Sequence, residues 1–95
     1  MRIQLEVLGG PLDGHVFQFN KAVQIGREGE VGLGIDRFIS RRHARLEPQP
    51  HGGVVLEDLN STNGTFINEE RVHGQVELRN GQLFRVGKTW LEISW

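Results

Sequence analysis

Ninety-five residues carry eleven lysines and arginines against twelve aspartates and glutamates, a formal net charge of −1, so no overall field draws the chain to nucleic acid or anionic lipid. The absence of cysteine excludes disulfides, thiolate zinc sites and a cysteine nucleophile, and fits a cytosolic compartment. This length suits a single domain, residues 1–95, that buries roughly 60 to 65% of its unfolded surface, enough for a core without staples.

The N-terminal stretch MRIQLEVLGG alternates apolar and polar residues. It lacks the unbroken apolar run of a signal peptide or membrane span, so a soluble, cytoplasmic protein with no membrane partner is expected. Ile3, Leu5 and Val7 place the first strand at about 3–8, and further strands are predicted at 15–19 and 22–26. The segment that follows, GREGEVGLG, contains no Gly-x-Gly-x-x-Gly dinucleotide fingerprint.

The one serious helix candidate comes next, in DRFISRRHARLEP. Asp36 is placed to cap it and Pro48 to end it. Ile39, His43 and Leu46 form one stripe, and Arg37, Arg41 and Arg45 another. A basic helix over 36–47 would read DNA or dock on a partner. The competing reading makes 43–48 a strand. It is favoured because one short helix in an all-strand chain of charge −1 offers few phosphate contacts beyond its own stripe.

Strands are then predicted at 53–58 and 65–68, flanking LNSTNGTFIN, where Asn63-Gly64 is expected to form a type I′ hairpin turn. The last three fall at 76–79, 82–86 and 89–94. GQLFRVGKT, over 81–89, resembles a phosphate-binding P-loop, but it has five residues between its glycines where the motif has four, and those five are strand-like. The histidines at 15, 43, 51 and 73 have no metal-ligand spacing, so no metal and no cofactor are expected. The glycosylation sequons at Asn60 and Asn63 are discounted for want of a secretory signal. Short strands separated by thirteen glycines and three prolines imply a β-sandwich or barrel.

What remains is a set of donors in loops: Arg27 after Gly26, Ser40 and Arg41 in SRRH, and Ser61, Thr62 and Asn63 in STNG. Singly, each has a plain explanation as a solvated charge or a turn residue. Together they supply what a phosphate ester requires: a guanidinium fork, hydroxyls, backbone N–H groups and an amide for the main chain beside it.

Ile25-Gly26-Arg27, Ser40-Arg41-Arg42-His43-Ala44 and LEDLNSTNGTFIN at 56–68 resemble the forkhead-associated (FHA) domain, whose pattern of Gly-Arg, Ser-x-x-His and Ser/Thr-Asn-Gly recurs here in order across nearly the whole chain. The resemblance implies an all-β sandwich of about eleven strands, with a very short fourth strand placed within 31–36 and the motif loops converging on one apex. It also implies that Arg27 contacts a phosphothreonine, that Ser40 and Thr62 donate hydroxyls to it, and that Asn63 holds the peptide main chain. Arg41 adds a second positive contact. His43 braces the loops, Gly26 and Gly64 supply close approach or positive φ, and Asn68 and Ser61 serve the turn. Phe38, two residues before Ser40, occupies a position that often reads the peptide beyond the phosphothreonine.

The expectation is therefore a monomeric, non-enzymatic phosphothreonine-binding module that recruits a partner phosphorylated by a Ser/Thr kinase. No nucleophile is accompanied by a base and an orienting third group. The alternatives are a phospho-independent protein scaffold and, behind it, a nucleic-acid-binding domain using the 36–47 helix.

Overall fold

The computed structural model describes residues 1–95 and holds eleven strands in two sheets with no helix. One sheet has six strands in the order β2 (Val16–Phe19), β1 (Ile3–Leu8), β11 (Thr89–Ser94), β10 (Leu83–Val86), β7 (Thr65–Ile67) and β8 (Glu70–Arg71). The other has five, in the order β4 (Val31–Gly32), β3 (Val23–Gly26), β5 (Ala44–Pro48), β6 (Val54–Asp58) and β9 (Gln75–Leu78). All-β sandwich architecture follows from the period of two. On β1, Ile3, Leu5 and Val7 are buried and alternate with half-buried Gln4, Glu6 and Leu8. Opposite them on β11, Leu91 pairs with Val7 and Ile93 with Leu5. From the second sheet Ile25, Leu46 and Leu56 meet these side chains in one cluster of 18 buried apolar residues. Burying a side chain of this kind contributes about 1.5 to 3 kcal/mol.

The nine strands predicted from alternation lie within one residue of observed strands at both ends. β4 occupies the first two residues of the 31–36 segment assigned to it by resemblance. β8 was not predicted, because two residues give no periodicity to detect.

One alternative and one expectation need correction. Residues 36–47 are not a helix: Asp36 to His43 form turns and bends, and Ala44 begins β5. The apolar positions at helical spacing bury here by another route. Ile39, 2% exposed, is a peg driven from the loop into the core, and Leu46 alternates with Ala44 along the strand. Asp36 does cap, but as an Asx turn, its Oδ1 accepting the Phe38 N–H at 2.8 Å. The second correction concerns Asn63-Gly64, which is not a type I′ turn: Gly64 has φ 92°, but Asn63 lacks positive φ. The segment between β6 and β7 passes from one sheet to the other, so no hairpin geometry is demanded there. A two-residue hairpin turn with positive φ at both positions lies instead at Asn68-Glu69, with φ of 50° and 67°, where Ile67 pairs with Glu70.

Topology also explains why distant loops meet. β4 runs parallel to β3, so Gly26 and Gly32 finish side by side. β5 starts where β3 ends, Ala44 facing Ile25, and β6 ends beside that start, Asp58 facing Ala44. The 27–30, 33–43 and 59–64 loops therefore open at one end of the sandwich.

Candidate functional site

Each of these loops is fixed by a different local device. The 27–30 loop is stitched to the next by backbone bonds, Arg27 N–H to Ser40 O at 3.1 Å and Glu28 N–H to Arg41 O at 3.2 Å. That approach requires glycine at 26, since a Cβ there would overlap the Arg41 carbonyl oxygen. Glu30 folds back to accept the Gln24 N–H at 2.8 Å, and this bond holds its carboxyl below the ordinary range.

The 33–43 loop is pinned from within by buried Leu33 and Ile39 and from the side by Asp36. Asp36 Oδ2 accepts the Lys88 N–H at 2.8 Å and the Thr89 hydroxyl at 2.7 Å, tying the loop to the β10–β11 turn. Partial burial pushes the Asp36 carboxyl up, but the bonds from Thr89, Phe38 and Lys88 outweigh it and hold the group below its ordinary 3.8. A depressed carboxyl stabilises the fold above its unfolded value, and that contribution disappears as pH falls through the folded value. Asp36→Asn should therefore lose about 1 to 2 kcal/mol at pH 7. Thermal melts from neutral to acid pH should show the difference from wild type shrinking as pH drops below 3.8. A difference constant with pH would mean that the charge of Asp36 is not what tethers the loop.

The 59–64 loop is organised by Asp58, which sequence reasoning did not single out. Asp58 Oδ1 accepts both the Ser61 hydroxyl at 2.6 Å and the Thr65 hydroxyl at 2.8 Å, and its Oδ2 accepts the Ser61 N–H at 3.2 Å. Ser61, 4% exposed, in turn accepts the Gly64 N–H at 3.1 Å, and Arg71, also overlooked, donates to the Ser61 carbonyl at 2.9 Å. An aspartate three residues before a serine in a turn was the available clue.

His43 joins the second and third loops. Its Nδ1 accepts the Ser40 N–H at 3.1 Å and its Nε2–H donates to the Gly64 carbonyl at 2.8 Å. A backbone N–H only donates and a carbonyl only accepts, so the contacts define the neutral tautomer with the proton on Nε2. The ring is fully buried and lies beneath the surface that the loops present.

That surface is an open groove of about 660 Å³, within the range of ligand-sized clefts of about 300 to 1,000 Å³. Arg27, Ser40, Arg41, Thr62 and Asn63 all line it. Gly26, His43 and Gly64 lie in its supporting structure. Asn68 is not brought there and stands at the β7–β8 turn. The Ser40 hydroxyl oxygen accepts the Thr62 N–H at 3.2 Å, which leaves its hydrogen to donate outward. Asn63 Nδ2 donates to the Phe38 carbonyl at 3.0 Å, leaving one amide hydrogen and Oδ1 for a ligand. Arg27 has no carboxylate within 4.0 Å, whereas Arg41 stands 3.8 Å from Glu28 with both side chains exposed. Phe38 is 41% exposed at the edge of this region, with the Lys88 ammonium 4.2 Å from its ring centroid.

The sequence profile of the FHA domain matches residues 23–87. The FHA domain-containing protein FhaB of Mycolicibacterium smegmatis is 40% identical over 92 residues, covering 95% of this chain and 59% of its own length. The chain thus spans little more than half of that relative. Among solved structures, one from a study of phosphothreonine-dependent FHA domain interactions superposes with a TM-score of 0.86 at 28% identity, covering 100% of this chain and 97% of that one. The FhaA FHA domain complexed with the intracellular domain of Rv3910 gives 0.82 at 30% identity, with 96% and 98% covered.

Proposed function

The chain belongs to the FHA domain family, and from that membership and the apical groove we propose that it binds phosphothreonine and so recruits a protein phosphorylated by a Ser/Thr kinase. The observation that carries this reading is the convergence of Arg27, Ser40, Thr62 and Asn63, from three separate loops, on one groove with donors left free. Arg27 gives the phosphate a guanidinium fork. Ser40 and Thr62 donate hydroxyls, Arg41 adds positive charge at the rim, and Asn63 holds the peptide main chain through its unused amide hydrogen and carbonyl. The phosphothreonine-dependent interactions studied for one similar structure, and the partner complex of another, support the same reading.

Titration with a phosphothreonine peptide library and its dephosphorylated copy is the test. Binding confined to the phosphorylated set is expected. Equal binding of both sets would favour the phospho-independent scaffold.

Matched phosphothreonine and phosphoserine peptides should differ as well. Enclosing one methyl group contributes about 0.8 kcal/mol by transfer, and an unfilled cavity raises the difference to about 1.5 kcal/mol, or about 4- to 12-fold in Kd. Threonine's stiffer χ1 adds in the same direction. Equal dissociation constants by calorimetry would mean that the groove does not enclose the γ-methyl.

A further inference from the structure

With Arg27 and Arg41 given to the phosphothreonine, Arg37 and Arg42 have no task, yet both line the same groove. Neither has a carboxylate within 4.0 Å. The groove wall carries four guanidiniums, from Arg27, Arg37, Arg41 and Arg42, against the single carboxylate of Glu28. A phosphothreonine brings about 1.5 to 2 negative charges at pH 7, so roughly one positive charge remains after it binds. This excess stands in a chain whose net charge is −1, and crowding like charges at one end destabilises the fold unless an anion arrives to offset them.

The groove also continues past the phosphate end. A second groove of about 570 Å³ runs along the outer face of the five-stranded sheet and shares Arg42 and Asn60 with the first. Farther along it, Arg45 is already bonded to Glu47 at 2.7 Å and faces Glu57 across the strands. Arg42 is thus the unpaired cation at the junction.

We infer that Arg42 forms a second anionic subsite, which reads a carboxylate or phosphate on a side chain flanking the phosphothreonine. The inference rests on the phosphothreonine reading and adds a charge requirement to it: the preferred ligand is a phosphothreonine with a second anionic side chain at a fixed offset. Arg37 raises the local potential without being the contact.

The test is a peptide series with one phosphothreonine and otherwise neutral flanks, into which a single glutamate is walked through each flanking position. A parallel arm carries a second phosphoserine in its place. At one offset glutamate should tighten binding about three- to fivefold, the upper range for an exposed ion pair, with a larger gain for phosphoserine. That advantage, measured as the ratio to the neutral-flanked peptide, should collapse in Arg42→Gln and shrink as salt rises from about 0.05 to 0.5 M. A gain for phosphoserine but not glutamate identifies phosphate as the source, and a gain for both identifies negative charge. A flat scan, with the neutral-flanked peptide still binding only when phosphorylated, overturns the subsite alone. An advantage that survives Arg42→Gln overturns the assignment to Arg42. Loss of phosphate dependence throughout the series removes the parent reading and the subsite together.

Discussion

Arg27→Ala is expected to weaken binding of a phosphothreonine peptide about 30- to 150-fold while leaving the melting temperature where it is. The affinity side follows from losing a charge-assisted fork, worth about 2 to 3 kcal/mol. The stability side follows from how Arg27 is held. Its side chain is exposed and unpaired, and its structural contribution is the backbone N–H that donates to Ser40 O at 3.1 Å, which alanine keeps. Arg27→Lys restores a positive charge but not the planar pair of donors, and should recover only part of the loss. Calorimetric titration beside a thermal melt reads both quantities. Affinity unchanged in the alanine variant would remove Arg27 from the site, and a large fall in melting temperature would make its role structural.

Strand positions were legible because alternation is a local property. Ile3, Leu5 and Val7 declare a buried face without reference to any other part of the chain. The apex was legible only through resemblance to a family. Nothing local in Arg27 or Thr62 states that β4 runs parallel to β3 and returns the chain to the end where β5 starts. The helix reading of 36–47 failed for a related reason. Ile39, His43 and Leu46 are all buried, as a helical stripe would require, but they bury as a loop peg, a polar bridge and a strand residue. Asp58 went unnoticed because a lone aspartate next to a turn is common. Its weight comes from three donors, the Ser61 and Thr65 hydroxyls and the Ser61 N–H, which meet its carboxylate only after the loop has closed. Asn63-Gly64 misled because the pair favours a hairpin turn, whereas the chain there is changing sheets.

His43→Ala should produce the largest loss of stability of any change at the apex. The imidazole is 0% exposed and satisfies two backbone groups that no other side chain reaches, the Ser40 N–H and the Gly64 carbonyl. Alanine leaves the Ser40 N–H unpaired and the Gly64 carbonyl with only its longer bond from the Gly87 N–H at 3.4 Å, and it opens a buried cavity beside them, which together cost about 3 to 5 kcal/mol. Domains of this size have about 5 to 15 kcal/mol in all, and each kilocalorie corresponds to about 4 to 8 °C, so a fall of about 15 °C or more is expected. Affinity should fall with it, because Ser40 and the Thr62–Asn63 turn lose the strut that sets their separation. Two conservative variants separate these effects. His43→Asn places an acceptor near the position of Nδ1 and should keep the Ser40 contact, while His43→Gln places a donor near Nε2 and should keep the Gly64 contact. Each should recover part of the melting temperature, and the asparagine variant should bind phosphopeptide better than the alanine one, since the Ser40 hydroxyl is the group proposed to donate to phosphate. The measurements are paired melts and titrations of all three variants. Weakened binding at an unaltered melting temperature would contradict the bracing role and place the imidazole in direct contact with the ligand, which its full burial argues against.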